Sequence, residues 1–295
     1  MSALAFFSPA KINLFLAVTG RRADGFHELV SVVAPLAWGD ELAVEMAEEK
    51  SEKEFSLVCD DPAVPVDESN LVLRAARAFG DATSWRGGGR FKLTKRIPMG
   101  AGLGGGSSNA AAALRSLNRL AGGPLGAAEL AEVAARVGSD CALFLPGGPV
   151  VMRGRGERVE ALAAAARLSG RSVVIFKPAF GIATAWAYAR LAAAPTSYLP
   201  AQEAEARVAK WIGVAETPAE ELLFNNLEEP AFAKFPALPL LGERLLKNFG
   251  LVARMSGSGS ACFAFLRDDS PVAEIAATIR AAWGESAMVV QTRLA

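Results

Sequence analysis

The chain has 295 residues, a length that predicts one large domain or two of modest size. Its 31 lysines and arginines balance 31 aspartates and glutamates, so no general field draws it to nucleic acid or an anionic membrane. Any anion must therefore be bound locally. The three cysteines are widely spaced and form no CxxC pair, which argues against a disulfide framework or a zinc site and indicates a reducing compartment.

The N-terminal segment is apolar but does not resemble a targeting signal. It has no basic region at its start, and Pro9, Lys11 and Asn13 interrupt the apolar run. Nowhere is there a run of about 18 consecutive apolar residues, the length that would predict a membrane span. We therefore expect a buried strand here, no membrane partner, and a cytoplasmic protein.

The first half of the chain is predicted to contain three strands and three helices. The strands are expected over residues 11–18, from 29–35 on toward 41–46, and over 90–97. One helix is expected over 70–79, with Ser69 or Asn70 as its cap and its end near Gly80. The other two cover the segment after the glycine-rich loop described below, and residues 127–137.

The second half mixes the same two kinds of element. Strands are expected over 172–176, 262–266 and 287–292, and helices over 184–193, around 219–224, and over 240–249 and 271–283. A turn at 154–158 and an alanine-rich stretch at 161–167, which could equally be a helix, suggest a boundary near residue 160. The pattern predicts an α+β fold with domains 1–160 and 161–295.

The strongest local signal is PMGAGLGGGSSNAAAALRSLNRL, which begins at Pro98 and has five glycines between positions 100 and 106. Glycines let backbone N–H groups converge on phosphate oxygens, and the helix that follows offers further donors and the positive end of its dipole. Ser107 and Ser108 add hydroxyl groups. A flexible linker is the alternative, but linkers seldom join a strand to an amphipathic helix, so the segment predicts a phosphate-binding loop.

Three common phosphate loops do not match this segment. Gly100, Gly102 and Gly105 satisfy GxGxxG, but a dinucleotide fold needs an acidic residue after a second strand, and here a Gly/Pro turn leads to another helix. No lysine precedes Ser107, as the GxxxxGK[ST] pattern requires. A protein-kinase loop would continue into a strand. The loop therefore belongs to another phosphate-binding family.

Lys11 and Asn13 lie two residues apart in a predicted strand, so their side chains share one face. Burying a lysine is costly, so the strand either has a solvated face or places Lys11 beside phosphate or a catalytic carboxylate. Asp140 follows a predicted helix and precedes an apolar stretch. On its own it could equally be a cap or turn residue.

Two other segments carry candidate binding residues. His27 is the only histidine, which argues against a zinc site, and a lone histidine more often has a structural role. Phe26 beside it could stack on a flat ring or simply anchor its loop. The turn Ser256-Gly257-Ser258-Gly259-Ser260 is either tight or closes over a ligand.

Taken together these segments resemble the GHMP kinase superfamily, which includes galactokinase, homoserine kinase, mevalonate kinase and phosphomevalonate kinase. The resemblance runs in order through SPAKINLFL, GRRADGFHEL, PMGAGLGGGSSNAA, VGSDCALFL, NNLEEP and RMSGSGSACFAF. The glycine-rich loop and the final SGSG are typical of the superfamily. PAKINL and GRRADGFH are more specific to its members that act on 4-diphosphocytidyl-2-C-methyl-D-erythritol in the non-mevalonate isoprenoid pathway.

The resemblance implies a two-domain fold, with an N-terminal half similar to the second domain of ribosomal protein S5, a ferredoxin-like C-terminal half and substrates in the cleft between. It implies ATP-dependent phosphorylation of the 2-hydroxyl of this cytidylyl substrate, with Mg²⁺ bridging the ATP phosphates. No residue is assigned as a metal ligand. The expected assembly is a monomer or homodimer. A non-catalytic nucleotide-binding regulator and a dinucleotide oxidoreductase are the alternatives from other classes.

The same resemblance assigns roles to individual residues. Asp140 would be the general base, and Lys11 would orient Asp140 and favour the alkoxide. The ATP phosphates would lie on Pro98, Met99, Gly100, Ala101, Gly102, Leu103, Gly104, Gly105, Gly106, Ser107 and Ser108. The substrate contacts would be Asn13, His27, Phe26 as one wall of a cytosine sandwich, Thr184 and Tyr188.

Two positions depart from the family pattern. Phe26 replaces the usual tyrosine, which keeps a stacking face but deletes one hydrogen bond. Ser139 stands where alanine is common. Neither change removes a catalytic group.

Overall fold

A computed structural model describes residues 4–46, 54–85 and 87–295. The chain divides into two compact units that interleave along the sequence. Unit 1 contains the N-terminal residues to Ala10, then Trp38–Met99 and Gly104–Gly147; unit 2 contains Lys11–Ala37, Gly100–Leu103 and Gly148–Ala295. The sequence boundary near residue 160 stays a prediction.

Two long strands, β1 (Leu4–Arg21) and β2 (His27–Met46), supply residues to both units. The remaining elements of unit 1 are β3 (Phe55–Cys59), α1 (Leu71–Thr83), β4 (Gly89–Thr94), α2 (Gly105–Leu120) and α3 (Ala127–Val137). Within unit 1, the last residues of β2 pair antiparallel with β4, and β3 pairs parallel with β4. The three helices pack against one another.

Small side chains on α2 form the centre of the unit 1 core. Ala110, Ala111, Ala112 and Ala113 are fully buried, as is Leu114, so α1 and α3 can approach α2 closely. The predicted helix after the glycine-rich loop is confirmed. Because it begins at Gly105, the loop ends within its first turn.

Helix α1 confirms one sequence expectation and corrects another. The Asn70 side chain accepts a hydrogen bond from the Val72 amide at 2.9 Å and so caps the helix. The end predicted near Gly80 is wrong, because the helix continues to Thr83, whose hydroxyl donates to the Phe79 carbonyl. Ser84, in the left-handed region at φ 57°, ends the helix instead.

Unit 2 has two sets of strands. Its further elements are strands β5 (Val150–Gly154), β6 (Arg158–Ala161), β7 (Ser172–Lys177), β8 (Phe224–Asn225), β9 (Arg254–Met255), β10 (Cys262–Phe265) and β11 (Met288–Arg293), and helices α4 (Thr184–Ala192), α5 (Ala201–Gly213), α6 (Glu228–Lys234), α7 (Ala237–Phe249) and α8 (Val272–Trp283). The first residues of β2 pair antiparallel with β5, which forms a hairpin with β6, and β1 pairs parallel with β8. The second sheet is antiparallel in the order β11-β7-β10-β9.

Several segments of unit 2 differ from the sequence prediction. The helix expected around 219–224 is only a 3-10 turn, Ala219–Leu222, because β8 begins at Phe224 and pairs with β1. Helices α5 and α6 were not predicted, nor were strands β5, β6 and β9. The alanine-rich stretch contains a short 3-10 turn, Ala165–Arg167, and no longer helix.

The other predicted strands and helices of unit 2 are confirmed within a few residues of their ends. The apolar runs Val173–Phe176 and Cys262–Phe265, which pair as neighbouring antiparallel strands, are buried along their whole length. Within the described ranges, no helix is both long and apolar enough to cross a bilayer.

Candidate active site

Residues 101–103 of the glycine-rich loop belong to unit 2 and are held within it through three successive carbonyl groups. The Ala101 oxygen accepts from the Ala261 amide at 3.0 Å, and the Leu103 oxygen accepts from the Lys11 amide at 3.0 Å. Between them, the Gly102 oxygen accepts from the Lys11 ammonium at 2.7 Å and from the Ser256 hydroxyl at 2.9 Å. These contacts hold the loop through its carbonyl oxygens, which serve as the hydrogen-bond acceptors.

The backbone N–H groups of the loop are left available as hydrogen-bond donors. In the described part of the chain, the N–H groups from Gly102 to Ser107 donate to no protein acceptor. The last three of them, from Gly105 onward, open α2, where unsatisfied amides and the helix dipole favour an anion. A run of backbone donors of this kind is the arrangement that binds phosphate in other proteins.

Position 102 requires a glycine because of both its backbone conformation and its surroundings. Its φ is 77°, in the region that L-residues rarely adopt, and a Cβ there would overlap the Ser256 carbonyl oxygen. The glycine therefore allows the loop to pass directly over the Ser256 backbone.

Lys11 is almost completely buried, with 4% of its surface exposed. Its ammonium donates to the Asn13 carboxamide oxygen at 2.6 Å, which confirms that the two side chains share a face. The Asn13 amide nitrogen in turn donates to the Ser31 hydroxyl at 2.9 Å. Lys11 is thus buried beside the glycine-rich loop, and the neutral oxygens of Asn13 and Gly102 are among its partners.

The Ser256–Ser260 turn, termed here the serine loop, packs on the same part of unit 2. The Ser256 hydroxyl bridges two segments, since it accepts from the backbone N–H of Asn13 at 3.3 Å and donates to the carbonyl oxygen of Gly102. The Ser258 hydroxyl lies 2.9 Å from that of Thr184, at the start of α4. The turn therefore supports the glycine-rich loop and Thr184 together.

Two residues of the NNLEEP segment hold the serine loop in place. Asn225 donates to the carbonyl oxygens of Met255 and Gly257, both at 2.8 Å. The Glu228 carboxylate accepts from the Met255 amide at 2.7 Å. Burial raises the pKa of Glu228 from 4.5 to about 7, although the Met255 amide and the Arg254 guanidinium act in the opposite direction. The sequence alone did not indicate this role for the segment.

Asp140 lies in unit 1, in the turn between α3 and the short 3-10 helix Ala142–Phe144. Its neighbour Cys141 is buried and hydrogen-bonds Ser107 of the glycine-rich loop. Burial raises the pKa of the Cys141 thiol to about 12, partly offset by the Ser107 hydroxyl, so the thiol stays protonated. This contact brings Asp140 to the start of α2. Its pairing with Lys11 stays a prediction.

The predicted substrate residues His27 and Tyr188 lie together in unit 2. Their ring centroids are 5.0 Å apart, and the ring of Tyr198 lies 6.2 Å from that of His27. The chain has only two tyrosines and one histidine, and all three meet here. Sequence reasoning missed Tyr198, whose hydroxyl is buried without a hydrogen-bond partner among the described residues.

His27 is suited to bind a neutral polar ring. Its Nε2 is also buried without a partner among the described residues. Burial, with a smaller effect from Arg21, lowers the pKa of His27 below its usual 6.5, so the imidazole is neutral at neutral pH. A neutral imidazole can donate or accept one hydrogen bond with a polar ring of a ligand.

Phe26 presents its ring to solvent. It is 51% exposed, and the guanidinium of Arg155 lies 5.1 Å from its ring centroid. Its amide donates to the Asp24 carboxylate, which in turn accepts from Arg22. The loop is thus ordered by its own charges, with an aromatic face left available.

No group of three or more histidine, cysteine or acidic side chains that could hold a metal ion occurs among the described residues. The Ser107 hydroxyl belongs to the first turn of α2, and Asp140 adjoins Cys141, which hydrogen-bonds Ser107. Mg²⁺ commonly uses one or two protein oxygens together with substrate phosphates. The donor set therefore fits an ion carried by a nucleotide.

Residues 70–150 match the GHMP kinases N terminal domain, and residues 212–285 match the GHMP kinases C terminal domain. Together these matches cover more than half of the chain. They agree with the mixed α and β elements of both units and confirm the predicted fold class.

Relatives at least 34% identical over most of this chain share one name. The 4-diphosphocytidyl-2-C-methyl-D-erythritol kinase of Protochlamydia amoebophila is 39% identical over 89% of this chain and 84% of that protein. The enzyme of the same name from Prosthecochloris aestuarii is 34% identical over 96% of both chains. A crystal structure of 4-(cytidine 5'-diphospho)-2C-methyl-D-erythritol kinase matches with a TM-score of 0.76 and 35% identity, over 99% of this chain and 100% of that one. The chain therefore belongs to the GHMP kinases and, within them, to the 4-diphosphocytidyl-2-C-methyl-D-erythritol kinase family.

Proposed function

We propose that the chain transfers the γ-phosphoryl group of ATP to the 2-hydroxyl of 4-diphosphocytidyl-2-C-methyl-D-erythritol, within the non-mevalonate route to isoprenoid precursors. Membership of a kinase family implies ATP use. The observation that carries the proposal is the run of available amides from Gly102 to Ser107 in a loop fixed by the buried Lys11.

The glycine-rich loop binds the phosphates. Phosphoryl transfer needs mainly positioning and stabilisation of charge on the transferred group, because little covalent chemistry falls to the protein. The amides from Gly102 to Ser107 supply fixed donors, and the first turn of α2 adds its dipole. Ser108 contributes less, since its amide donates to Gly104 and its hydroxyl accepts from Ser8.

Asp140 acts as the general base. Its carboxylate takes the proton of the substrate 2-hydroxyl while that oxygen forms a bond to the γ-phosphorus. The bond from the γ-phosphorus to the oxygen bridging it to the β-phosphorus breaks, and the electron pair leaves with ADP. The Lys11 ammonium stabilises the developing negative charge and orients Asp140. A base of this kind contributes roughly a hundred- to ten-thousand-fold to the rate.

Mg²⁺ neutralises charge on the ATP phosphates when bound. Of the described protein oxygens, the Ser107 hydroxyl and the Asp140 carboxylate are the ones that would hold it. The hydrogen bond between Ser107 and Cys141 ties the Ser107 hydroxyl to the residue next to Asp140.

The substrate's cytosine would be recognised by the residues around His27. Phe26 offers a stacking face, and the neutral imidazole of His27 a hydrogen bond to the base edge. Thr184 and Tyr188 on α4 complete this set, with the Thr184 hydroxyl oriented by Ser258. Asn13 contributes to the site by holding Lys11.

The experiment that tests this function is ATP turnover with Mg²⁺ and each of three alcohols in parallel. They are 4-diphosphocytidyl-2-C-methyl-D-erythritol, mevalonate and homoserine. We expect turnover with the first alone. Turnover confined to a control alcohol would overturn the substrate, and an absence of turnover with all three would leave a nucleotide-binding protein without this activity.

A further inference from the structure

Both ends of the glycine-rich loop are hydrogen-bonded to one buried carboxylate, that of Asp40 in β2. Asp40 has no exposed surface. Its Oδ1 accepts from the amides of Arg96 at 2.6 Å and Ile97 at 2.8 Å, the two residues before the loop. Its Oδ2 accepts from the Asn109 side chain at 2.9 Å, and Asn109 directly follows the loop in α2.

A buried lysine compensates the charge of this carboxylate. The Lys95 ammonium forms an ion pair with Asp40 Oδ2 and also donates to the Asn109 oxygen at 3.2 Å. Gly105, the first residue of α2, leaves room for it, since a Cβ there would lie 2.9 Å from the Lys95 nitrogen. The ion pair therefore lies directly against the start of the helix.

Hydroxyl groups extend the same network. The Asn109 side chain donates to the Ser8 hydroxyl at 2.8 Å, and Ser8 donates to the Ser108 hydroxyl at 2.9 Å. All of these residues belong to unit 1. Ser108, the last residue of the loop, is thus tied to Asp40 through Ser8 and Asn109.

Burying an ion pair does not by itself stabilise a fold, because desolvation offsets the attraction, and well-packed apolar residues can often replace it. Apolar residues, however, cannot form directional hydrogen bonds. Asp40 accepts hydrogen bonds from four donors whose positions fix both ends of a segment that contains five glycines.

We infer that Asp40 is a positioning residue for ATP binding. It holds the two ends of the glycine-rich loop at a fixed separation, so that the loop amides are pre-arranged for the phosphates. This inference rests on the proposed role of the loop in phosphate binding. Asp40 is fully buried and acts through the loop. Its effect is to lower the entropy lost when ATP orders the loop, which appears as affinity for the nucleotide.

Two variants separate this role from simple stability. In Asp40→Asn/Lys95→Met, the new amide oxygen still accepts from Arg96 and Ile97, but the bond from Asn109 is lost and no unpaired ammonium is buried. Asn109→Ala removes the bond at the end of the loop and leaves the ion pair intact. The matched control is Asn118→Ala, which breaks two hydrogen bonds to Leu125 at the other end of the same helix.

The measurements are the dissociation constant of Mg·ATP by calorimetry without acceptor, and the KM of each substrate. We expect both Asn109→Ala and the double variant to weaken ATP binding about ten- to a hundredfold, since small misplacements of positioning groups have effects of this size. The KM of the alcohol substrate should stay unchanged, and Asn118→Ala should bind ATP like the wild type.

The outcomes are distinct. Folded variants that bind ATP as tightly as the wild type overturn the inference, as does an equal loss of affinity in Asn118→Ala. Should the double variant fail to fold, Asn109→Ala still decides. A wild-type protein that binds no ATP overturns the proposed function together with this inference, whereas normal wild-type binding confines any failure to Asp40.

Discussion

The Ser256 hydroxyl donates to the Gly102 carbonyl oxygen at 2.9 Å and so joins two small-residue loops that lie 154 positions apart in the chain. The same carbonyl accepts from the buried Lys11 ammonium. Because both bonds use an acceptor of the glycine-rich loop, its donors stay available for a ligand. Three segments that are remote in sequence thus fix one backbone conformation.

Gly102→Ala should remove this arrangement. The φ of 77° strains an alanine, and its Cβ would overlap the Ser256 backbone, so the loop must move. We expect kcat/KM for ATP to fall about a hundredfold, the effect of misplacing positioning groups by roughly an ångström. Gly148→Ala is the control, since Gly148 has open space around its Cβ position and an ordinary φ. Equal activity of the two variants would contradict the role of Gly102.

Asp140→Asn should separate catalysis from binding. An asparagine keeps the shape of the side chain but cannot take a proton, so we expect turnover to fall roughly a hundred- to ten-thousand-fold. The dissociation constant of ATP should change little. Ser139→Ala, which introduces the residue common at that position in the family, serves as the neighbouring control and should behave like the wild type. Near-normal turnover of Asp140→Asn would show that the base is another group.

Phe26 should matter for the cytidylyl substrate and not for ATP. Phe26→Leu removes the stacking face, and we expect the KM of that substrate to rise about five- to tenfold, in line with the free energy of one aromatic pair. Phe26→Tyr should keep or lower the KM, because it restores the phenol. Phe7→Leu, at a phenylalanine that is 50% exposed in β1, is the matched control. A raised KM for ATP in Phe26→Leu would contradict this assignment.

Glu228 predicts a dependence of stability on pH. Burial raises its pKa from 4.5 to about 7, so between these values the folded protein holds a proton that the unfolded chain has released. The free energy of unfolding therefore falls as pH rises through this window, by an amount on the order of 3 kcal/mol when complete.

Glu228→Gln removes this titration while its amide oxygen can still accept from Met255. Urea unfolding from about pH 5 to about pH 8 should show a wild-type stability that falls more steeply than that of the variant. Parallel curves for the two proteins would mean that Glu228 titrates alike in the folded and unfolded chains.

The sequence predicted the glycine-rich loop well because its chemistry is local. Five glycines followed by an amphipathic helix predict the backbone conformation directly, and the alternation of a strand put Lys11 and Asn13 on one face, as observed. Helix α5 carried a usable signal too, with Ala204, Val208 and Trp211 at helical spacing on its buried face, although it was not recognised.

The remaining site residues depend on contacts between distant segments. An aspartate in the run LAWGDELAV gives no sign that it will meet Arg96, Ile97 and Asn109, since each of those hydrogen bonds spans more than fifty residues. Tyr198 likewise lies far from His27 in sequence and reaches it only through the fold. Local patterns predict elements and loops, whereas such pairings follow from tertiary packing.

The most direct test of the proposed reaction is the phosphorus NMR spectrum of the product made from Mg·ATP and 4-diphosphocytidyl-2-C-methyl-D-erythritol. The 2-carbon bears no hydrogen, so phosphorylation there should give one new phosphomonoester signal without coupling to a carbon-bound proton, together with the signals of ADP. A coupled signal would place the phosphate on another hydroxyl, and inorganic phosphate alone would show that the chain hydrolyses ATP without transferring it to this alcohol.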